Sequence, residues 1–204
     1  MVIKCVTSGY IETNTYLVGD SSGAVLIDAG ADKEEIFDMV DKAGFTPKVV
    51  ILTHYHYDHI GSLNEVREKY GIEAAIHRID APAVTDMKRN SAALFGSTKN
   101  VNPVEILLED KQVLKIGKIE YNIIHTAGHT SGGICILAGG VIFTGDTLFR
   151  RSIGRTDLGD GDYGELINSI KTRILSLEDN IVVYPGHGER STIGEERKGN
   201  PFLT

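Results

Sequence analysis

The chain has 204 residues, of which 41% are hydrophobic and 24% charged, a length that suits one sizeable domain and a composition that excludes disorder and fibrous repeats. Lys and Arg number 21 against 28 Asp and Glu, a net charge of −7. Basic runs such as Arg150-Arg151 and Arg197-Lys198 never exceed two residues, too short to grip a phosphate backbone or an anionic membrane, so neither nucleic acid nor a membrane surface is an expected partner.

The first 52 residues read as three short strands, Val2-Val6, Thr15-Val18 and Ala24-Ile27, followed by a helix. Asp32 with Glu35 three residues on predicts a capping box, Ile36, Phe37 and Val40 share one face, and Gly44 supplies the stop. Val49-Leu52 is a continuous apolar run, the pattern of a strand covered on both faces. A second helix over Ser62-Tyr70 presents Leu63, Val66 and Tyr70 together and ends at Gly71. Between Asp80 and Pro103 the periodicity weakens into short helical pieces and polar loop, a stretch long enough to wall a cleft. Strands return at Val113-Ile116, Ile119-His125, Ile134-Leu137 and Val141-Phe143 as a meander. A third helix over Tyr163-Leu177 aligns Leu166, Ile167, Ile170, Ile174 and Leu177, and Ile181-Tyr184 reads as the last strand.

Each half therefore runs through strands, a helix, and a strand that ends in a His-bearing loop. Two similar halves packed sheet on sheet, with helices outside, form the natural arrangement, and residues 1–204 read as one domain. Cys5 and Cys135 are the two cysteines. Both lie in apolar strand-like runs, which excludes a disulfide framework, predicts buried free thiols, and fits a reducing, cytoplasmic setting. No stretch has the length or apolarity of a leader or a membrane span.

The chemistry concentrates in the histidines. Of seven, three fall in Thr53-His54-Tyr55-His56-Tyr57-Asp58-His59, directly after the buried strand. Extended chain there sends His54, His56 and Asp58 to one side, with His59 turning away beside them. Imidazole and carboxylate donors without thiolate suit Zn(II), Fe(II) or Mn(II), and one loop leaves room for ligands from elsewhere. Gly128-His129-Thr130, Gly145-Asp146-Thr147 and Pro185-Gly186-His187-Gly188 each follow an apolar strand in a glycine-rich turn, where the backbone can bend around an ion. His77 and His125 are single histidines at strand ends, for which hydrogen-bonded structural roles are expected.

With these motifs, and with Leu26-Ile27-Asp28-Ala29-Gly30, Thr144-Gly145-Asp146-Thr147-Leu148-Phe149 and Gly199-Asn200-Pro201-Phe202-Leu203, the chain resembles the metallo-β-lactamase superfamily. Within it, the likeness is to the glyoxalase II-like, or hydroxyacylglutathione hydrolase-like, short bacterial hydrolases. The resemblance implies an αββα sandwich of two mixed sheets with the metals at one edge. It implies that His54, His56 and His129 hold one ion, that Asp58, His59 and His187 hold a second, and that Asp146 bridges them. Asp28 becomes an acceptor that orients ligand imidazoles. One or two ions per chain are implied, zinc foremost, iron or manganese otherwise.

The activity implied is hydrolysis of a small-molecule thioester such as an S-2-hydroxyacyl thiol, with the metals activating water and polarising the carbonyl while Asp58 positions that water as the catalytic carboxylate. A thiolate leaves without a strong general acid. The competing reading is a mononuclear-iron persulfide dioxygenase using His54, His129 and Asp146. Ala127 stands where the family commonly has Pro, which loosens a turn without removing a ligand. The helical extension that grips glutathione in glyoxalase II is absent from residues 1–204, so weak discrimination among thiols is expected. Arg155 is a candidate either for a substrate carboxylate or for an ion pair with Asp157.

Overall fold

In the computed structural model, residues 1–9 and 11–203 are described; Tyr10 and Thr204 lie outside them. The elements in chain order are β1 (Val2–Ser8), β2 (Thr13–Asp20), β3 (Gly23–Ile27), α1 (Lys33–Ala43), β4 (Pro47–Ile51), α2 (Tyr57–Ile60), α3 (Leu63–Tyr70), β5 (Glu73–His77), α4 (Ala81–Val84), β6 (Ile106–Leu108) and β7 (Val113–Ile116). The chain continues through β8 (Ile119–His125), β9 (Ile134–Ala138), β10 (Val141–Gly145), the small hairpin β11 (Leu148–Phe149) and β12 (Ser152–Ile153), α5 (Tyr163–Ser169), β13 (Val182–Pro185), β14 (Ser191–Thr192) and α6 (Ile193–Gly199).

Two six-stranded mixed sheets form, ordered β1-β2-β3-β4-β5-β6 and β14-β13-β10-β9-β8-β7. In the first, β1, β2 and β3 are antiparallel and β3 to β6 run parallel; in the second, β10 and β13 are the parallel pair. Strand alternation sorts the core into layers. Val25, Ile27, Val49 and Ile51 face Tyr121, Ile123, Ile136 and Phe143 of the other sheet. Their neighbours Leu26, Val50 and Leu52 face outward onto Ile36, Val40, Leu63 and Val66 of α1 and α3. Behind the second sheet, Ile142 and Val183 meet Leu166 and Ile170. The αββα sandwich with helices on both outer faces is thus the fold.

Several local readings need correcting. Asp32 is the N-cap of α1 but makes no side-chain cap bond; its own N–H is taken by Ser8 Oγ at 2.9 Å. The capping box lies instead at Thr192 and Glu195, ahead of α6, after the point where the sequence pattern placed the last strand. Cys5 is exposed, because β1 is an edge strand with an open outer face, whereas Cys135 is buried as expected. The helix at Tyr163 changes to a wider turn over Ile170–Ile174. Gly44 and Gly71 do close α1 and α3 in the left-handed conformation. Among the described residues, no helix is long and apolar enough to cross a membrane.

Candidate metal centre

The seven donors converge because their carrier strands point to one edge of the sandwich. β4 delivers the His54 loop and β3, parallel to it, ends at Asp28; in the other sheet β8, β10 and β13 deliver His129, Asp146 and His187. The His-rich loop divides its own residues between two groups. It runs extended through His54 and His56, which stay on one side as period two demands, then turns helical at Tyr57, which redirects Asp58 and His59. His54, His56 and His129 form one group and Asp58, His59, Asp146 and His187 the other, with the donor atoms of each within 4.8 Å of one another. Asp146 faces both: Oδ1 lies 3.2 Å from His59 Nε2, and Oδ2 lies 3.6 Å from both His129 Nε2 and His187 Nε2.

The outward nitrogens of His54, His59, His129 and His187 are held by the protein, which fixes what their inward ones present, whereas His56 turns Nδ1 inward and its buried Nε2 has no partner. His59 Nδ1 donates to Asp28 Oδ2 at 2.8 Å. Thr53 donates to Asp28 from its backbone N–H at 2.7 Å and from its hydroxyl at 2.9 Å, and its oxygen accepts from His54 Nδ1 at 3.0 Å. His129 Nδ1 donates to the Arg155 carbonyl at 2.7 Å and His187 Nδ1 to that of Ile11 at 3.1 Å. With Nδ1 so committed, Nε2 of His54 and of His129 turn bare lone pairs toward one point, 3.2 Å apart. The buried Asp146 Oδ1 has no hydrogen-bond partner. Converging lone pairs and an orphaned carboxylate oxygen are what a cation fits. Asp28 itself sits at φ 60°, a strain on the order of 1 kcal/mol; its charge-assisted bonds, each contributing roughly 1.5–3 kcal/mol, outweigh it. Gly186 is required for space, since a Cβ there would collide with Asp146 Oδ1.

The two groups differ electrostatically. Burial, joined by the neighbouring imidazoles, holds His54 well below the usual range, and burial with His129 lowers His56 to about 3. Both stay neutral, the form that ligates. At His59 burial opposes charge, but the carboxylates of Asp146, Asp28 and Asp58 outweigh it and push it well above its ordinary value. His187 is raised against burial by Asp58 and Asp146. Burial likewise works against ionised Asp146 and Asp58, yet His59 leads the groups that hold both low.

A metallo-beta-lactamase superfamily model matches residues 9–187. The chain belongs to the metallo-β-lactamase superfamily. Across its whole length it is 35% identical to the hydroxyacylglutathione hydrolase GloC of Haemophilus influenzae, covering 98% of that protein. It superimposes on the BLEG-1 B3 metallo-β-lactamase with a TM-score of 0.95 at 36% identity, each chain fully covered. Against TTHA1623, solved in a di-iron-bound form, the TM-score is 0.88 at 35% identity, with 98% of this chain and 100% of that one covered. The superfamily is one of metallo-hydrolases, and its fold with this His/Asp cluster indicates divalent metal ions.

All seven sequence-picked donors are brought together, and Asp28 stands behind them. His77 and His125 lie apart, stacked on each other with centroids 4.3 Å apart. His125 Nε2 donates to the Ser131 carbonyl, while His77 Nδ1 is buried without a partner, so the hydrogen-bonded role expected for it is not seen on that nitrogen. Arg155 forms an exposed two-pronged pair with Asp157, and its backbone is what serves the centre. The Asp80–Pro103 stretch does wall a cleft: Ser97, Thr98 and Lys99 line a cavity of about 390 Å³ with Tyr57, Asp58 and Lys33. Sequence reasoning missed Asn14 and Tyr16. Asn14 Nδ2 donates to the Pro185 and Gly188 carbonyls and the Tyr16 hydroxyl to that of Pro185, seating the His187 loop. The one available signal was a buried-type polar run, Thr13-Asn14-Thr15, heading an apolar strand.

Proposed function

We propose that the protein is a dinuclear, metal-dependent thioester hydrolase of the hydroxyacylglutathione hydrolase type, with zinc as the foremost candidate metal and iron or manganese as alternatives. The observation that carries this reading is Asp146, whose carboxylate lies between the two donor groups, with Oδ2 3.6 Å from both His129 and His187 and Oδ1 3.2 Å from His59, supported by full-length similarity to GloC. His54, His56 and His129 would hold one ion, Asp58, His59 and His187 the other, and Asp146 both. When bound, such ions polarise a carbonyl and lower the pKa of water. Asp58 is the catalytic carboxylate of this reading: its Oδ2 lies 3.2 Å from His187 Nε2, at the edge of the cavity, where it would orient the attacking water. The leaving group follows from what the other side chains do. Arg155 is tied to Asp157 and its guanidinium keeps its proton, so it offers no general acid to a poor leaving group. A thiolate, with a pKa near 8.5, needs no such help.

The test is turnover of S-lactoylglutathione and of a β-lactam by zinc- and iron-loaded protein, alongside metal analysis. Thioester cleavage with up to two ions per chain is expected. Cleavage of the β-lactam with the thioester untouched, or protein that retains no metal, overturns the proposal.

A further inference from the structure

Asp80 follows β5 in the first half of the chain, yet its carboxylate is spent entirely on the second half. Its side chain is fully buried and makes no ion pair among the described residues. Oδ2 accepts from the Thr130 hydroxyl at 2.7 Å and Oδ1 from the Gly132 N–H at 2.7 Å. Both donors lie within three residues of His129. The approach is close enough that a Cβ on Gly132 would collide with Asp80 Oδ1. Asp160 takes the residue between them, accepting from the Ser131 hydroxyl at 2.6 Å. Residues 130–132 are thus gripped from two sides immediately after a donor whose own ring has a single protein anchor, the Arg155 carbonyl.

Burying a carboxylate without a cation is costly, and its two hydrogen bonds to the His129 turn are what offset that cost. Burial pushes Asp80 up to about 7, against the two hydrogen bonds that favour its charged form. Asn in its place would keep the volume, but one of its two termini would be an NH2 facing a donor. The group therefore has the mark of a positioning device rather than of a core filler.

We infer that Asp80 is a positioning residue that sets His129 against His54 and His56, and so tunes the affinity of the three-histidine group for its metal. The inference rests on the proposed metal centre. It places the control of one donor group in a turn of the opposite sheet, one hydrogen bond and one peptide link away from His129.

The experiment is a zinc titration against a competing chelator, using the full chain and Asp80→Asn, each also carrying His187→Ala so that the second group is weakened and the three-histidine group dominates the titration. In the His187→Ala background, Asp80→Asn is expected to weaken zinc about tenfold, the lower end of the effect of groups that orient ligands. The thermal midpoint of the metal-free protein should stay within a few degrees of its parent. Thr130→Val, which removes one of the two bonds, should act in the same direction and more weakly, and serves if Asp80→Asn does not fold. Unchanged zinc affinity in both variants, or a lowered metal-free midpoint with unchanged zinc affinity, overturns the inference. Failure of the parent chain to bind zinc at all would instead strike the metal-centre reading itself.

Discussion

The two donor groups lie side by side and share Asp146, but they are built on opposite principles. The three-histidine group contains no carboxylate of its own and is deeply buried, and its rings are steered by uncharged partners: the Thr53 oxygen behind His54 and the Arg155 carbonyl behind His129. The second group mixes two carboxylates with two histidines. One of those, His59, is braced directly by a third carboxylate, Asp28. A neutral set gains its affinity from directed lone pairs and so depends on geometry; a charged set gains much of it from Coulomb attraction and tolerates looser placement. The lesson is that the first group should be sensitive to whatever aims its loops, and the second to whatever alters its charge.

Asp146 is where that distinction should vanish. Asp146→Ala removes the donor common to both groups, and turnover is expected to fall by more than the roughly 10–100-fold typical of lost support residues. Metal analysis of the purified variant should show both ions weakened. Retention of one full equivalent at parental affinity would mean that the carboxylate belongs to a single group. Asp28→Asn should separate the groups instead. It strips the direct partner of His59 and reaches His54 only through Thr53, so the carboxylate-rich group is expected to lose about 10–100-fold in zinc affinity and the other less. Equal losses, read by titration with His187→Ala as the reference in which the second group is weakened, would break the comparison.

The smallest effect is expected at His77→Phe, which keeps the ring stacked on His125 and touches neither group. Turnover should stay within about twofold. Burial, then the charge of His125, lowers His77 to about 4, so the folded protein holds it neutral while the unfolded chain binds a proton below about 6.5. That contribution is complete above pH 6.5 and is lost as the pH falls toward 4. Urea midpoints at pH 7.5 and 4.5 should therefore lie closer together in the variant than in the parent; an unchanged gap would show that His77 is not part of the acid lability.

Much of this was legible in the chain. Apolar β-rich runs placed β2, β3, β4 and the β7 to β10 meander, and the His-rich loop together with the three glycine-flanked turns named every donor, because metal ligands here are His or Asp set where the backbone can turn. What stayed hidden has two physical origins. Short elements such as β6, β14 and α6 carry too few residues for a periodicity, even though Thr192-Ile193-Gly194-Glu195 spelled a capping box. Positioning residues such as Asn14 and Asp80 act across the fold. Asn14 meets Pro185, 171 positions away, and no local pattern marks a partner that distant. Asp32 shows the converse: a correct local signature can be left unused when a nearer acceptor, Ser8 Oγ, takes the backbone N–H.

The placement of β13 bears on the order in which the centre comes into being. The β1 to β3 hairpins and the β7 to β10 meander close over short connections, whereas β13 reaches β10 in parallel only after the chain has passed through β11, β12 and α5. Long crossovers close late, because their loop entropy is lost before any contact repays it. His187 rides on the end of that strand, while His54, His56 and His129 lie on segments that close earlier. Yet His54 and His129 stand 75 positions apart on loops of opposite sheets, so neither donor group takes shape until the two sheets have packed, and metal capture becomes a report on that packing.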